Sequence, residues 1–470
     1  MAYQVDAKDD PMPLHSLLAR CTPGLLLILT ACVSAPTDIA TRFAAAAMPA
    51  QPAPQSVTCP PGLPNATRCH SGRDSEGACV LIATPQPWNG HLVLHAHGGP
   101  LLGAPRPERV AEDLQRWAVV LKAGYGWAGT SFRQGGVAVR SAAEDTERLR
   151  RLFVQHVAVP RRTLLHGQSW GAGVAAKAAE MFTVDATGRR PYDAVLLTSG
   201  VLGGGTRSYD FRLDLRVIYQ ALCGNHPRAD EAGYPLWMGL PADSTMTAAD
   251  LAARADDCLG LRTNAAQRTP EQARKLKTIV DVLHIPERSV QGHLNWATFH
   301  FRDIAQHRSA GRPVFGNIGA VYRGSDDDTA LNATVARYAA DAQAVRRFGA
   351  DTDPSGAIPV PVLTVHAIGD PVAFVELEAT FQATMQAAGR ADALVQTFTE
   401  HTEHSYLADP VYAALMEALL EWVERGVKPQ PQAIARRCAA LEAAFGPGCR
   451  FVDGYRPPPL ETRVAPRQRP

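Results

Sequence analysis

Three residues far apart in the chain carry side chains that together could cleave an acyl bond: Ser169, Asp370 and His404. A serine hydroxyl is a poor nucleophile at neutral pH unless a neutral imidazole takes its proton. The imidazole in turn needs a carboxylate to fix its tautomer and stabilise its charged form. Ser169 stands in Gly167-Gln168-Ser169-Trp170-Gly171, Asp370 in Gly369-Asp370-Pro371, and His404 in Glu400-His401-Thr402-Glu403-His404-Ser405. Such chemistry also needs N–H donors for the oxyanion that forms when the hydroxyl adds to a carbonyl. Trp170 follows the serine directly, and His97-Gly98-Gly99-Pro100 offers a second donor. Pro100 has no N–H, so the donor is placed at Gly99, with Gly98 as the alternative.

The elements around these residues must bring them to one place. Residues 162–168 are a short apolar run, and an alanine-rich run follows the serine, so the stretch reads as strand, sharp turn and helix with Ser169 at the apex. Glycine on both sides removes side chains that would collide where strand turns into helix. The runs 78–85 and 91–95 read as strands joined at Trp88-Asn89-Gly90, where Asn-Gly is a strong hairpin signal. Residues 107–122 and 142–157 read as amphipathic helices, and 126–132 and 194–200 as buried strands. A strand in 360–368 ends at Asp370, the run 395–398 precedes His404, and a helix from Asp409 runs to Arg425. Alternating strands and helices imply a mainly parallel sheet with helices on both faces and ligands at its carboxyl edge. Between 202 and 358 the alternation stops, and this polar, patchily helical stretch reads as a cap inserted over the site or as a separate structural domain.

Bulk composition excludes some functions. Of 470 residues, 47 are Lys or Arg and 46 are Asp or Glu, giving a formal charge of +1. Nothing here suits a nucleic acid or other polyanion. Residues 1–32 read as an export signal: a basic residue, an apolar stretch too short to span a bilayer, then small residues before Cys32. Leu29-Thr30-Ala31-Cys32 resembles the lipobox of bacterial lipoproteins, which implies lipidation of Cys32 and tethering to a membrane of the cell envelope. The acidic residues before Met12 suit a signal poorly, and Met12 is the expected start. Residues 33–57, rich in Ala, Pro, Thr, Ser and Gln, read as a flexible tether. In an oxidising compartment Cys223 would pair with Cys258, Cys438 with Cys449 and Cys59 with Cys69, leaving Cys79 buried.

The chain order Ser169, Asp370, His404 is that of the α/β-hydrolase fold. His404 is preferred over His401 because it directly precedes the polar link into the last core helix, where that fold places its histidine. Residues 78–199 and 360–425 resemble α/β-hydrolase serine enzymes. Pro87-Trp88-Asn89-Gly90, the cap insertion and the lipobox are similar to exported bacterial esterases. His97-Gly98-Gly99-Pro100 with Gly167-Gln168-Ser169-Trp170-Gly171 also resembles proline-iminopeptidase-like enzymes, although Leu101 stands where their motif continues with glycine.

The expected organisation is therefore a signal segment 1–32, a tether 33–57, a hydrolase core in two parts, 58–201 and 359–428, a helical cap 202–358 and a tail 429–470. The resemblance implies a serine hydrolase acting on a small-molecule ester through an acyl-enzyme, with no metal or organic cofactor. A peptide or amide substrate, as for an aminopeptidase or amidase, is the alternative and would call for carboxylates in the cap to meet the substrate's amine. A lipid-anchored binding protein that keeps the fold without turnover is the alternative of a different class.

Overall fold

Short strands buried on both faces must be covered by helices on both sides, and this requirement builds the molecule. The computed structural model describes residues 49–185 and 187–470, and the expected lipidation site Cys32 lies outside the described residues. The strands are β1 (Gln55–Val57), β2 (Arg68–Arg73), β3 (Cys79–Thr84), β4 (His91–Ala96), β5 (Gly126–Thr130), β6 (Arg162–Gln168), β7 (Ala194–Thr198), β8 (Val362–Ala367), β9 (Leu394–Thr399) and β10 (Phe451–Val452). They form one sheet in the order β1-β2-β3-β5-β4-β6-β7-β8-β9-β10. From β5 to β9 every neighbouring pair is parallel, while β1, β2, β3 and β10 add antiparallel edges. This is the α/β-hydrolase fold, with helices on both faces and an inserted helical cap.

Strand periodicity sorts the core into two layers. Leu92, Leu94, Ala96 and Leu165 face the layer that holds helices Val139–His156 and Trp170–Met181. Val93 and Leu164 face the layer of Pro107–Arg116, Asp409–Arg425 and Pro431–Phe445. Between β7 and β8 the chain forms helices alone, among them Asp210–Cys223 and Glu287–Asn295. The cap residues Leu213, Leu294 and Phe301 belong to the same apolar cluster as the first layer, so the insertion is packed into the core. Disulfides join Cys59 to Cys69, Cys223 to Cys258 and Cys438 to Cys449, and Cys79 is free and buried. Among the described residues no helix is long and apolar enough to cross a membrane.

Two sequence expectations are corrected. Asn89-Gly90 does not close a hairpin, because β5 lies between β3 and β4. The turn is drawn onto the loops ahead of the neighbouring parallel strands: Asn89 N–H donates to Gly124 O at 3.0 Å and Arg161 N–H to Gly90 O at 2.7 Å. Asn89 Oδ1 accepts from His91 N–H at 2.9 Å, which turns the chain out of one strand and into a new one. The tether was expected to reach residue 57, yet Gln55–Val57 pairs with β2 and Gln51 is buried, its N–H donating to Gln155 Oε1 at 3.1 Å. An edge strand needs backbone hydrogen bonds rather than apolar side chains, so polar composition hides it.

Past β10 the tail crosses to the cap. Arg467 Nη2 donates to Asp214 Oδ2 at 2.6 Å, and Arg469 Nη2 to Asp210 Oδ2 at 2.6 Å, both acids on the cap helix Asp210–Cys223. Arg463 pairs with Glu376, beyond β8, at 2.9 Å. The last residues thus tie cap and sheet together through largely buried ion pairs.

Candidate active site

Ser169, Asp370, His404, Gly99 and Trp170 all follow the carboxyl ends of parallel strands, at one edge of the sheet. Ser169 stands between β6 and the helix Trp170–Met181 with φ 55° and ψ −119°, a conformation in the sparsely populated region that an elbow requires. Its backbone is held from both sides, by its N–H to Thr198 O at 2.9 Å and by Val201 N–H to its carbonyl at 3.0 Å. A Cβ on Gly167 would strike the Gly171 carbonyl, and one on Gly171 the carbonyls of Ala96 and His97. Glycine at these two positions lets the elbow close and lets the loop after β4 lie against it.

Ser169 Oγ is 2.8 Å from His404 Nε2, and His404 Nδ1 is 2.8 Å and 3.0 Å from the two oxygens of Asp370. A carboxylate can only accept, so Nδ1 carries the proton and Nε2 is left to accept from the serine hydroxyl. Asp370 Oδ1 also accepts from Val372 N–H at 2.8 Å and Ala373 N–H at 3.0 Å, which fixes the carboxylate on its own loop. The His404 loop is fixed by Tyr412, on the last core helix. Its hydroxyl donates to Ser405 O at 2.6 Å and accepts from Leu407 N–H at 2.8 Å. Asp370 is buried, whereas the His404 side chain is 20% exposed, so the relay runs from the interior to an accessible imidazole. His401 does not meet the serine. Its carbonyl accepts from Gly369 N–H at 3.2 Å, so it braces the acid loop from behind.

Burial alone would raise the Asp370 carboxyl, but His404 and His366 outweigh it and hold the group down at about 2. His366 was not anticipated from sequence. It lies in β8, fully buried, with Nε2 2.8 Å from Ala373 O and 3.6 Å from Asp370 Oδ2, and Nδ1 3.2 Å from Glu378 Oε1. Glu378 Oε2 accepts in addition from Thr364 Oγ1 at 2.8 Å and Gln396 Nε2 at 2.6 Å. Both ring nitrogens of His366 face acceptors. Although burial opposes its charge, Asp370 and Glu378 push it up to about 10, and it is an imidazolium at neutral pH. The acid of the relay therefore has a cation behind it. The spacing His366-x-x-x-Asp370 was visible, but nothing marked Glu378 as its partner.

On the other side of the serine, Gly98 O accepts from Arg109 Nη2 at 3.1 Å and from His97 Nδ1 at 3.1 Å. Carbonyl and following N–H point oppositely across a trans peptide, so pinning Gly98 O also fixes the direction of the Gly99 N–H. Gly99 has φ 71° and is exposed, which Gly98 is not. Trp170 begins the elbow helix, where N–H groups have no helical partner and the dipole is positive. His97 is neutral, lowered by burial and then by Arg109 to about 4, and stacks at 4.4 Å on Phe132. His95 is withdrawn into the sheet, with Nδ1 3.0 Å from that of His166, and burial lowers both.

One cap segment touches all three loops of the site. Arg288 Nη2 donates to Thr402 O at 2.8 Å, two residues before His404. His293 Nε2 lies 2.8 Å from Pro371 O, beside Asp370, and His300 Nε2 lies 2.8 Å from Pro100 O, beside Gly99. The helix Glu287–Asn295 passes into π-helical turns at Trp296–His300 and Ile304–Arg308, a local change that re-aims side chains and recurs at functional sites. These contacts were unreadable from sequence, because each is a side chain meeting a backbone carbonyl that any residue could supply.

Neither a protein-family model nor a curated protein matches the sequence. Solved structures resemble it from a distance. Feruloyl esterase B from Aspergillus oryzae does so at 13% identity and TM-score 0.40, over 80% of this chain and 86% of that one. Candida Antarctica lipase A does so at 13% and 0.40, over 91% and 90%. The rice cell wall degrading esterase LipA from Xanthomonas oryzae does so at 13% and 0.35, over 81% and 89%. Likeness at this level says nothing of substrate, and the fold is read from the strand order itself.

Proposed function

We propose that the protein is a serine hydrolase that cleaves carboxylic esters through an acyl-enzyme. The observation that carries this reading is the unbroken relay from Ser169 Oγ through His404 to Asp370, with 2.8 Å at each step. Ser169 attacks the ester carbonyl while His404 Nε2 takes its proton. The N–H groups of Trp170 and Gly99 hold the oxyanion, and His404 returns the proton to the leaving alcohol. Water then repeats the sequence on the acyl-enzyme, with His404 again as base and Asp370 steadying the imidazolium. Burial of Asp370 and the cap contacts across the three loops support this, since a relay of this kind works best with little water around it.

A fluorophosphonate probe tests the proposal: the native protein should be labelled and Ser169→Ala should not. Absence of labelling on folded protein would return the chain to the non-catalytic binding class. Rates on 4-nitrophenyl esters, compared with aminoacyl anilides, separate the esterase reading from the aminopeptidase or amidase reading. We further propose that Cys32 carries a lipid that holds the exported enzyme to a bacterial membrane. Cys32→Ser should then move the protein from the membrane to the soluble fraction, and unchanged fractionation would count against the anchor.

A further inference from the structure

Among the described residues four arginines are buried: Arg148, Arg150, Arg212 and Arg216. Arg148 is paired with Asp74 and Asp145, and Arg150 with Glu147. Arg216 has no carboxylate but reaches three neutral acceptors, His226 O, Tyr234 Oη and Gly239 O. Arg212, 5% exposed, has one long hydrogen bond, from Nη1 to Ser208 O at 3.5 Å, and its buried Nε has no partner. A guanidinium has five N–H donors and retains its charge, so a buried one without acceptors is costly unless something from outside completes it.

Its surroundings are rings. The guanidinium carbon lies 4.5 Å from the centre of the Trp296 ring, 4.7 Å from Phe211 and 5.1 Å from Tyr209. Rings shield the faces of the cation and hold its plane, yet they offer no acceptor to its edge. The acids nearby are already committed. Asp210 and Asp214, on the same helix, pair with Arg469 and Arg467, Asp353 accepts from Thr206, and Asp303 pairs with Arg308. Burial lowers Arg212, but only to about 10, so it is charged at neutral pH.

The same rings connect Arg212 to both sides of Ser169. Trp296 stacks at 4.7 Å on His300, which holds Pro100 next to the Gly99 donor. Phe211 packs at 4.9 Å against His293, which holds Pro371 next to Asp370. Trp296 and His300 are partly exposed. Burial, followed by Arg212, lowers His293 to about 3, and burial lowers His300 to about 4. The other cation of this ring cluster, Arg463, lies 4.7 Å over Phe374 but is already paired with Glu376, so Arg212 is the charge left without a carboxylate.

We infer that Arg212 binds a carboxylate on the substrate, so that the preferred esters carry a free carboxyl group, as in the monoester of a dicarboxylic acid. This rests on the esterase reading. It also opposes the aminopeptidase alternative, because a cation in the cap repels the ammonium that such a substrate presents.

The test compares 4-nitrophenyl monoesters of adipic, pimelic and suberic acids with the neutral 4-nitrophenyl hexanoate, heptanoate and octanoate. For at least one length kcat/KM should favour the anionic ester by about tenfold or more, and Arg212→Met should lower that ratio about 100-fold. Arg212→Lys keeps the charge without the planar fork and should lower the ratio about tenfold. Neutral esters preferred at every length, with Ser169 labelled by fluorophosphonate, would overturn the inference and leave the esterase reading standing. Failure of labelling would remove the reading itself. An anionic preference that survives Arg212→Met intact would move recognition to another cation. Should the Met variant lose its cooperative thermal transition, the wild-type series and Arg212→Lys decide, and an unchanged ratio in Arg212→Lys overturns the assignment.

Discussion

The sheet edge and the aromatic cage around Arg212 in the cap treat charge in opposite ways. At the sheet edge every charged group is answered from within the chain: Asp370 accepts from two backbone N–H groups and from His404, and His366 stands between Asp370 and Glu378. In the cap, Arg212 is enclosed by rings and left without a carboxylate. Machinery that must be ready before substrate arrives is completed by the protein, while a group that recognises substrate is completed by the substrate. Substitutions of Ser169 or His404 at the sheet edge should therefore change rate at nearly constant stability. Those in the supports of the cap should do the reverse.

The largest effects belong to Ser169→Ala and His404→Ala, each expected to lower kcat on a 4-nitrophenyl ester by about 10⁵- to 10⁶-fold with an unchanged thermal transition. Asp370→Asn comes next, at about 10⁴-fold, because an amide in place of the carboxylate favours the wrong imidazole tautomer. A large loss of stability in Ser169→Ala or His404→Ala would break the comparison, whereas Asp370→Asn also takes a carboxylate from buried His366 and should lose some stability.

The tail strap should show the opposite signature. Arg467→Met leaves Asp214 buried without its cation and should cost about 3 kcal/mol or more in urea unfolding. Turnover of the remaining folded enzyme should stay within about threefold, since Arg467 touches none of the three site loops. A strap variant as stable as wild type would show that cap and sheet are held by apolar packing alone.

How much of this was legible follows the same division. The strand, elbow and helix around Ser169 were readable because periodicity and paired glycines are local properties. Asp370 and His404 were readable because a strand end and a polar link before a helix mark positions in a known order. The place of β5 was not, since insertion of a strand between two others is decided by non-local pairing, and Asn-Gly argued for the simpler local solution. The cap was legible as an insertion but not as a surface. Arg212, His293 and His300 sit in an unremarkable helical pattern, and only packing reveals that two of them hold the site loops and one is buried without a carboxylate.

His366 offers the finest test, because it lies at the sheet edge yet touches neither Ser169 nor the His404 imidazole. Its folded value of about 10 exceeds the ordinary value of about 6.5. A group raised on folding contributes stability that is complete below the unfolded value and is lost as pH rises through the folded one. The melting temperature of the native protein should thus decline between pH 6.5 and about 10, and His366→Gln should remove that part of the slope. The same variant leaves Asp370 and Glu378 facing each other without the intervening cation, which weakens the hold on the Asp370 loop. A displaced acid turns His404 from the serine, so kcat should fall by about 10²-fold at neutral pH. Glu378→Gln keeps the acceptor toward His366 but removes its charge, and should give a smaller loss of rate. If both variants lose stability but keep their rate, His366 is a packing residue and the cation behind the acid has no part in catalysis. If rate falls and the pH slope disappears together, the internal completion of charge extends one residue beyond the triad.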